Sequence, residues 1–163
     1  MNIKTLKKSA FQDRRGLLWT TWEKGNFKNI KFNHDKFSVS KKKVLRGLHC
    51  DFKSWKMITC VYGKFLLVAV NMKKNSKNYL KHKKWILDYK KPKMILVPPY
   101  YANGHLCLTK TCTINYKCSN YRNPKYERTL AWNDPSLKIK WPIMNPILSF
   151  KDKNNCYLLK DLI

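Results

Sequence analysis

The chain has 163 residues and carries 35 lysines and arginines against 9 aspartates and glutamates, a formal net charge of +26. A hydrophobic content of 44% indicates a folded globule and excludes a disordered basic tail. The longest apolar run, Phe65 to Val70, is too short to cross a bilayer, and the N-terminus leads into no apolar signal segment. We therefore expect one domain over residues 1–163, cytoplasmic and without membrane contact.

The basic residues are spread through nearly every segment of the chain. A field of this sign attracts polyanions, but a nucleic-acid-binding face needs a concentrated patch or stripe of positive charge. We therefore expect a solvated basic surface, not a dedicated nucleic-acid interface. The same field would favour a small substrate that carries phosphate.

Short runs of β-branched and aromatic residues, separated by Gly, Pro and Asn, predict many strands and almost no helix. In chain order the clearest runs are Val44–His49, Met57–Val61, Phe65–Val70, Met94–Val97, Leu106–Leu108 and Thr111–Cys118. The second and third flank Tyr62-Gly63-Lys64 and predict a hairpin. Only Cys156–Leu162 shows a weak helical period. The pattern predicts an all-β antiparallel sandwich or barrel with a short C-terminal helical segment.

The segment Val44–His49 combines an anion ligand with a titratable base. Arg46 can bind phosphate or carboxylate through two hydrogen bonds, and His49 can take up a proton near neutral pH. Strict strand alternation would place these side chains on opposite faces. If both serve one site, we expect a bulge at Gly47 that re-aims one of them, or an arrangement in which Arg46 serves a neighbouring subunit.

The run Thr111–Cys118 places Cys112, Ile114, Tyr116 and Cys118 on one face of a strand. That face is apolar apart from the phenol, so we expect Tyr116 to point into the barrel. Taken alone, this pattern fits an ordinary core tyrosine with a satisfied hydroxyl better than a functional one.

Several short motifs follow one another along nearly the whole chain. They are Phe11-Gln12-Asp13-Arg14-Arg15-Gly16, Val44-Leu45-Arg46-Gly47-Leu48-His49, Lys56, Pro98-x-x-Tyr101-Ala102-Asn103-Gly104, Tyr116-Lys117, Trp132-Asn133-Asp134-Pro135, Ile139-Lys140-Trp141-Pro142 and Leu148-Ser149-Phe150-Lys151-Asp152. Each motif is weak alone, but in order and spacing the set resembles the dTDP-4-dehydrorhamnose 3,5-epimerase family.

This resemblance implies a cupin-type antiparallel jelly-roll barrel. It also implies a homodimer whose N-terminal strands are exchanged between subunits. The family's substrates are nucleoside-diphosphate 4-keto-6-deoxy sugars, which it epimerises at C3 and C5 without a metal or organic cofactor. Such an enzyme would serve the synthesis of surface polysaccharides or other deoxysugars.

The family's catalytic groups fall on four positions of this chain. The base that removes the proton beside the ketone falls on His49, and the carboxylate that orients it falls on Asp152. The acid that returns a proton from the opposite face falls on Tyr116, and the cation beside the enolate oxygen falls on Lys56. A positioned base contributes about 10²–10⁴-fold, and a cation near the enolate stabilises its charge.

The substrate-binding positions match the family less closely. The phosphate-binding arginines fall on Arg15 and Arg46, but the family's Ala-His-Gly is Ala102-Asn103-Gly104 here, and its Gln-x-Asn is His34-Asp35-Lys36. We therefore predict further substrate contacts at Asn103, His34 and Lys36. The differences leave open a GDP- or CDP-linked sugar and epimerisation at one carbon only.

Four other functions fit parts of the same pattern. A cupin sugar 3,4-ketoisomerase would carry a second histidine where this chain has Asp51, and a metal cupin could use His49, Asp51 and His105 as ligands. A catalytically degenerate relative could bind a nucleotide sugar without turnover. A non-enzymatic nucleic-acid binder would show salt-dependent binding of any sequence. For His105, an ordinary strand position fits the alternation better than a substitute for the missing histidine.

Overall fold

The structure is a computed structural model that describes residues 2–6, 10–23, 27 and 29–159. These residues form twelve strands, each paired antiparallel with its neighbours. The strands are β1 (Lys4–Leu6), β2 (Ala10–Asp13), β3 (Gly16–Trp19), β4 (His34–Lys41), β5 (Leu45–Asp51), β6 (Lys56–Tyr62), β7 (Lys64–Asn71), β8 (His82–Asp88), β9 (Met94–Val97), β10 (Tyr101–Cys107), β11 (Thr111–Cys118) and β12 (Glu127–Thr129). The helical elements are α1 (Phe150–Asn154) and the 3₁₀ turns Pro124–Tyr126 and Pro135–Leu137.

Ten of the strands form two five-stranded sheets. Sheet I has the order β1-β9-β6-β11-β4, and sheet II has the order β12-β5-β10-β7-β8. Their facing sides share one apolar cluster, to which Ile58 and Ile114 contribute from sheet I and Phe65 and Leu67 from sheet II. Two antiparallel sheets packed over a common core make the predicted jelly-roll barrel.

The predicted hairpin at Tyr62-Gly63-Lys64 is wrong, although both of its strands exist. β6 pairs with β9 and β11 in sheet I, whereas β7 pairs with β8 and β10 in sheet II. Because both edges of each strand are already hydrogen-bonded, the two strands cannot pair with each other. Gly63, at a φ of +70°, forms the corner between the sheets, and the Thr111 carbonyl oxygen occupies the space that a Cβ would need.

The outer sides of both sheets are covered as well. C-terminal side chains that include Trp132, Trp141 and Leu159 pack on the outer side of sheet II. Trp55 and Phe32 pack on the outer side of sheet I. Double coverage explains why the central strands are apolar on both faces instead of alternating.

The short C-terminal helix lies earlier than the weak period over Cys156–Leu162 predicted. It is α1, whereas Tyr157 forms an isolated β-bridge with Leu130. This backbone pairing overrides a weak helical propensity, and positions 160–162 lie outside the described residues. No helix in the described part of the chain is long and apolar enough to span a membrane.

Candidate active site

A bulge in β5 brings Arg46 and His49 to the same side of sheet II, as predicted. Arg46 pairs with His105 and His49 with Asn103, so two residues of β5 face a single glycine of β10. Gly47 has a φ of +123°, and a Cβ there would lie 2.6 Å from the backbone of β10. A glycine at this position therefore permits the local geometry that puts both side chains in one cavity.

The cavity has a volume of about 370 Å³ and is lined by side chains of both sheets. Its walls are Lys36, Phe37, Ser38, Arg46, His49, Lys56, Asn103, His105, Tyr116, Arg122, Glu127 and Lys151. Lysines and arginines outnumber acidic side chains on these walls. The cavity is therefore suited to an anionic ligand.

His49 is paired with a buried carboxylate behind it. Its Nε2 lies 2.6 Å from Oδ1 of Asp152, which is 3% exposed and receives a second hydrogen bond from the Gly47 amide at 3.3 Å. Ser149 caps α1 by accepting a hydrogen bond from the Asp152 amide, and so fixes the carboxylate. Burial acts to raise the pKa of Asp152, but the hydrogen bonds from His49 and Gly47 outweigh it and lower that pKa. An ionised Asp152 holds a proton on Nε2 and leaves Nδ1 of His49 as the basic nitrogen.

Tyr116 lines the same cavity from sheet I, across from His49 on sheet II. Its Oη lies 2.9 Å from Nδ1 of His105, whose Nε2 lies 3.3 Å from Ser40 Oγ. Arg46 Nε donates to that same hydroxyl at 3.1 Å. Burial, and then the charge of Arg46, lowers the pKa of His105 to about 3, so its imidazole is neutral. Burial also raises the pKa of Tyr116, so its phenol stays protonated at neutral pH.

Lys56 contributes a buried cation to the wall formed by sheet I. It is 8% exposed. Burial lowers its pKa, and the carboxylate of Asp51 acts in the opposite direction. A buried ammonium group is costly unless it meets negative charge, so this position favours a ligand oxygen that becomes anionic.

The three side chains considered above as metal ligands do not converge. His49 and His105 line the cavity, whereas the Asp51 carboxylate accepts hydrogen bonds from the backbone amides of Lys53 and Ser54 at 2.9 and 2.8 Å. Across the described residues, no three His, Cys, Asp or Glu side chains are grouped as metal ligands.

Asn103 and Lys36, predicted as substrate contacts, both line the cavity. Asn103 Nδ2 donates to the carbonyl oxygens of His49 and Tyr101 at 3.2 and 3.4 Å, which leaves its amide oxygen as the acceptor end. The ammonium group of Lys36 lies 5.8 Å from the ring centre of Tyr116.

Arg15 and His34 do not line the cavity of a single chain. Arg15 lies in the turn between β2 and β3, where it is 81% exposed and pairs with Asp13 at 2.6 Å. His34 stacks on Tyr121 with 5.1 Å between the ring centres. Its Nδ1 is buried and has no hydrogen-bond partner among the described residues.

Several cavity residues were not predicted. Strand alternation puts His105 on the same face as Asn103, so that periodicity could have identified it. Arg122, Glu127 and Lys151 form an ion-paired group on the cavity wall, with Arg122 Nε 2.9 Å from Glu127. Arg122 and Glu127 are only five residues apart, but Lys151 is distant in the chain, so no local pattern could have joined all three.

Residues 1–160 match the family profile described as dTDP-4-dehydrorhamnose 3,5-epimerase. The chain belongs to this family. A dTDP-4-dehydrorhamnose 3,5-epimerase from Neisseria gonorrhoeae is 35% identical over 158 residues, covering 93% of this chain and 48% of the relative, so the chain spans about half of that protein. One from Shigella flexneri is 32% identical over 156 residues, covering 89% of this chain and 84% of the relative.

A solved structure agrees with this membership in the dTDP-4-dehydrorhamnose 3,5-epimerase family. The crystal structure of dTDP-6-deoxy-D-glucose-3,5-epimerase from Legionella pneumophila, in complex with dTDP-4-keto-L-rhamnose, superposes with a TM-score of 0.91 at 28% identity. The match covers 97% of this chain and 88% of that one. The family and the cupin-type jelly-roll fold predicted from the sequence are thereby confirmed.

Proposed function

We propose that this protein epimerises a nucleoside-diphosphate 4-keto-6-deoxy sugar at C3, C5 or both, in deoxysugar or polysaccharide synthesis. One observation carries the proposal. His49 on one sheet and the protonated phenol of Tyr116 on the other line a single cationic cavity, and the carboxylate of Asp152 on α1 supports His49 from behind. Epimerisation beside a ketone needs a base on one face of the sugar and an acid on the other, and this arrangement supplies both.

In the proposed reaction His49 removes the proton from the carbon beside the ketone. Nδ1 is the accepting nitrogen, because Nε2 is hydrogen-bonded to Asp152 at 2.6 Å. The ionised Asp152 would hold the imidazole in this tautomer and stabilise the imidazolium that forms. The C–H electron pair then becomes the double bond of an enolate, and negative charge develops on the ketone oxygen.

Lys56 and Tyr116 complete the reaction on the other wall. The buried ammonium group of Lys56 would stabilise the enolate oxygen, a charge that the ground-state ketone carries only in part. Tyr116 would then donate its phenolic proton to the carbon from the face opposite His49, which inverts the configuration. The raised pKa of Tyr116 keeps the phenol protonated until this step.

The nucleotide half of the substrate is supported by charge and by the relatives. Arg46 and Lys36 line the cavity and would bind the diphosphate, and the Asn103 amide oxygen would accept a hydrogen bond from the substrate. The relatives named above are dTDP-sugar epimerases, and the Legionella protein holds dTDP-4-keto-L-rhamnose. We infer that dTDP is the nucleotide here as well.

A cytoplasmic location stays a prediction.

We further propose a homodimer with exchanged N-terminal strands. The β2–β3 hairpin pairs with neither five-stranded sheet and exposes Phe11 and Leu18, and β4 exposes Phe37 and Val39. Exchange would cover apolar surface and could deliver Arg15 to the partner's cavity. Light scattering should give the mass of a dimer for the wild type and of a monomer for Leu18→Glu. A monomeric wild type would contradict this proposal.

The activity can be tested with a panel of substrates in D₂O. The protein is incubated with dTDP-, GDP- and CDP-linked 4-keto-6-deoxy sugars, and deuterium at C3 and C5 is followed by NMR. We expect incorporation into the dTDP sugar at one or both carbons. The matched control is the corresponding 4-hydroxy sugar, which lacks the acidifying ketone and should not exchange. Absence of deuterium in every 4-keto sugar would contradict the proposed function.

A further inference from the structure

His105 lies in the middle of a chain of hydrogen bonds that ends at Tyr116. The chain begins at Arg46 Nε, which lies 3.1 Å from Ser40 Oγ. Ser40 Oγ lies 3.3 Å from His105 Nε2, and His105 Nδ1 lies 2.9 Å from Tyr116 Oη. Ser40 and His105 are 2% and 1% exposed, so water cannot easily replace these contacts. The mechanism above uses neither residue.

The direction of this chain follows from its first donor. An arginine Nε can only donate, so Ser40 Oγ accepts from Arg46. Among the described residues, the only other hydrogen-bond partner of Ser40 Oγ is His105 Nε2. A buried hydroxyl proton needs an acceptor, so Ser40 donates to Nε2. A neutral His105 then carries its proton on Nδ1 and donates it to Tyr116 Oη.

We propose that His105 is a positioning residue for Tyr116: it donates a hydrogen bond to the phenol oxygen and so directs the phenolic proton toward the cavity. The opposite tautomer would accept that proton in a hydrogen bond and turn it away from the substrate. Arg46 and Ser40 select the productive tautomer from the far side of the imidazole. The inference rests on the proposed function, because it assigns Tyr116 the role of acid.

The same hydrogen bond would assist the protonation step itself. When the Tyr116 O–H bond breaks and the new C–H bond forms, the O–H electron pair stays on the phenolate oxygen. His105 Nδ1–H already points at this oxygen and stabilises the charge without moving its own proton. After product release, exchange with bulk solvent removes the proton that His49 gained and returns one to the phenolate, which restores both groups. His105 stays neutral throughout, in keeping with its lowered pKa.

The packing around His105 offers a near-isosteric variant. The imidazole lies between sheet residues with the ring of Phe65 at 5.7 Å between centres. His105→Phe would keep an aromatic ring beside Phe65 and remove the donor. Ser40→Ala would keep His105 but remove the group that fixes its tautomer. Two variants with different steric demands therefore test the same chain.

The first test needs no substrate. In ¹⁵N spectra of the free, full-length protein, His105 should carry its proton on Nδ1, assigned by the signal lost in His105→Phe. Ser40→Ala should weaken or reverse this preference. The matched control, Ser38→Ala on the same strand, should leave the tautomer unchanged. A proton on Nε2 in the wild type would overturn the inference.

The second test compares deuterium exchange with inversion during turnover. With the 4-keto sugar that the wild type accepts, His105→Phe and Ser40→Ala should raise the ratio of exchange to inversion at least about tenfold, because protonation is impaired while His49 still removes protons. A merely structural defect would lower both rates together. His82→Phe, on β8 away from the cavity, should match the wild type.

The outcomes separate this inference from the function on which it rests. If the wild type exchanges and inverts but both variants keep the wild-type ratio of exchange to inversion, the proposed role of His105 is contradicted. The proposed epimerase function is then unaffected. If the wild type exchanges no deuterium with any 4-keto sugar, the epimerase fails and the proposed catalytic role of His105 fails with it. The tautomer measurement then decides separately whether the hydrogen-bond chain exists.

Discussion

Asp152 links the ionisation of one residue to the stability of the fold. The pKa of Asp152 is lowered in the folded protein. Its stabilising contribution is therefore fully present above the pKa of aspartate in the unfolded chain, about 4, and is lost as the pH falls through the folded pKa. We expect Asp152→Asn to cost about 1–3 kcal/mol of unfolding free energy at pH 7. The variant should also lose less stability on acidification than the wild type. Urea denaturation at pH 7 and below pH 4 measures both effects, and parallel curves would contradict the assignment.

Lys56 is a residue at which catalysis and stability should oppose each other. Burial lowers the pKa of Lys56 in the folded protein, so its charged form destabilises the fold at every pH below the folded pKa. This penalty decreases as the pH rises from the folded pKa to the pKa of lysine in the unfolded chain. Lys56→Met should therefore stabilise the protein by about 1 kcal/mol and raise Tm by roughly 2–4 °C.

The same variant should lose about 10²-fold or more in kcat, because the enolate oxygen loses its cation. Thermal unfolding and steady-state kinetics on one preparation measure the two effects. The control is Lys83→Met, which replaces an exposed lysine on β8 and should change neither quantity. A destabilised Lys56→Met variant would show that the ammonium group is compensated in the fold.

At the level of the single strand, the bulge of β5 depends on the close packing of Gly47 against Gly104 of β10. Gly16, which begins β3 in open space, provides the comparison. Gly47 and Gly16 both have a strongly positive φ, at +123° and +130°. A Cβ on Gly47 would lie 2.6 Å from the Gly104 Cα, whereas a Cβ on Gly16 would meet nothing within 4 Å. Gly16→Ala thus isolates the cost of backbone strain from the cost of packing.

We expect Gly47→Ala to destabilise the protein by roughly 2–5 kcal/mol and Gly16→Ala by only about 1 kcal/mol. Urea denaturation of both variants measures the difference, and the first should also lose activity because Arg46 and His49 move apart. Equal stability losses would mean that the two strands can separate without cost at the bulge.

The strands show where sequence reasoning succeeded and where it failed. Periodicity located β6, β7, β9 and β11, and it placed Tyr116 inside the barrel, because side-chain alternation is a local property. It could not decide that β6 and β7 belong to different sheets, since pairing depends on partners distant in the chain. The bulge at Gly47 is one of the two arrangements expected if Arg46 and His49 serve one site, since strict alternation would put them on opposite faces.

In the candidate site too, local motifs identify residues, whereas contacts between distant strands depend on the fold. The positions of His49, Tyr116, Lys56 and Asp152 could be predicted from ordered motifs, and the structure brings them to one cavity and its supporting wall. Alternation could place His105 on the face of Asn103, but its hydrogen bond to Tyr116 could not be recognised before β10 and β11 were placed in facing sheets.

At the scale of the whole molecule, the net charge of +26 should govern encounter with an anionic substrate. Salt screens such a field, with a Debye length of about 10 Å at 0.1 M and about 3 Å at 1 M. We expect kcat/KM for the nucleotide sugar to fall severalfold over this range, mainly through KM. Sucrose at matched viscosity is the control, and a salt-independent kcat/KM would contradict a steering role for the charge.

The central claim is that a base on one sheet and an acid on the other work on opposite faces of one sugar. Deuterium incorporation and inversion, measured together in D₂O for His49→Ala and Tyr116→Phe, test it most directly. We predict that His49→Ala loses both, whereas Tyr116→Phe still incorporates deuterium but no longer inverts. Tyr121→Phe, which alters an exposed tyrosine outside the cavity, should match the wild type. Normal inversion by Tyr116→Phe, or deuterium incorporation by His49→Ala, would contradict the account.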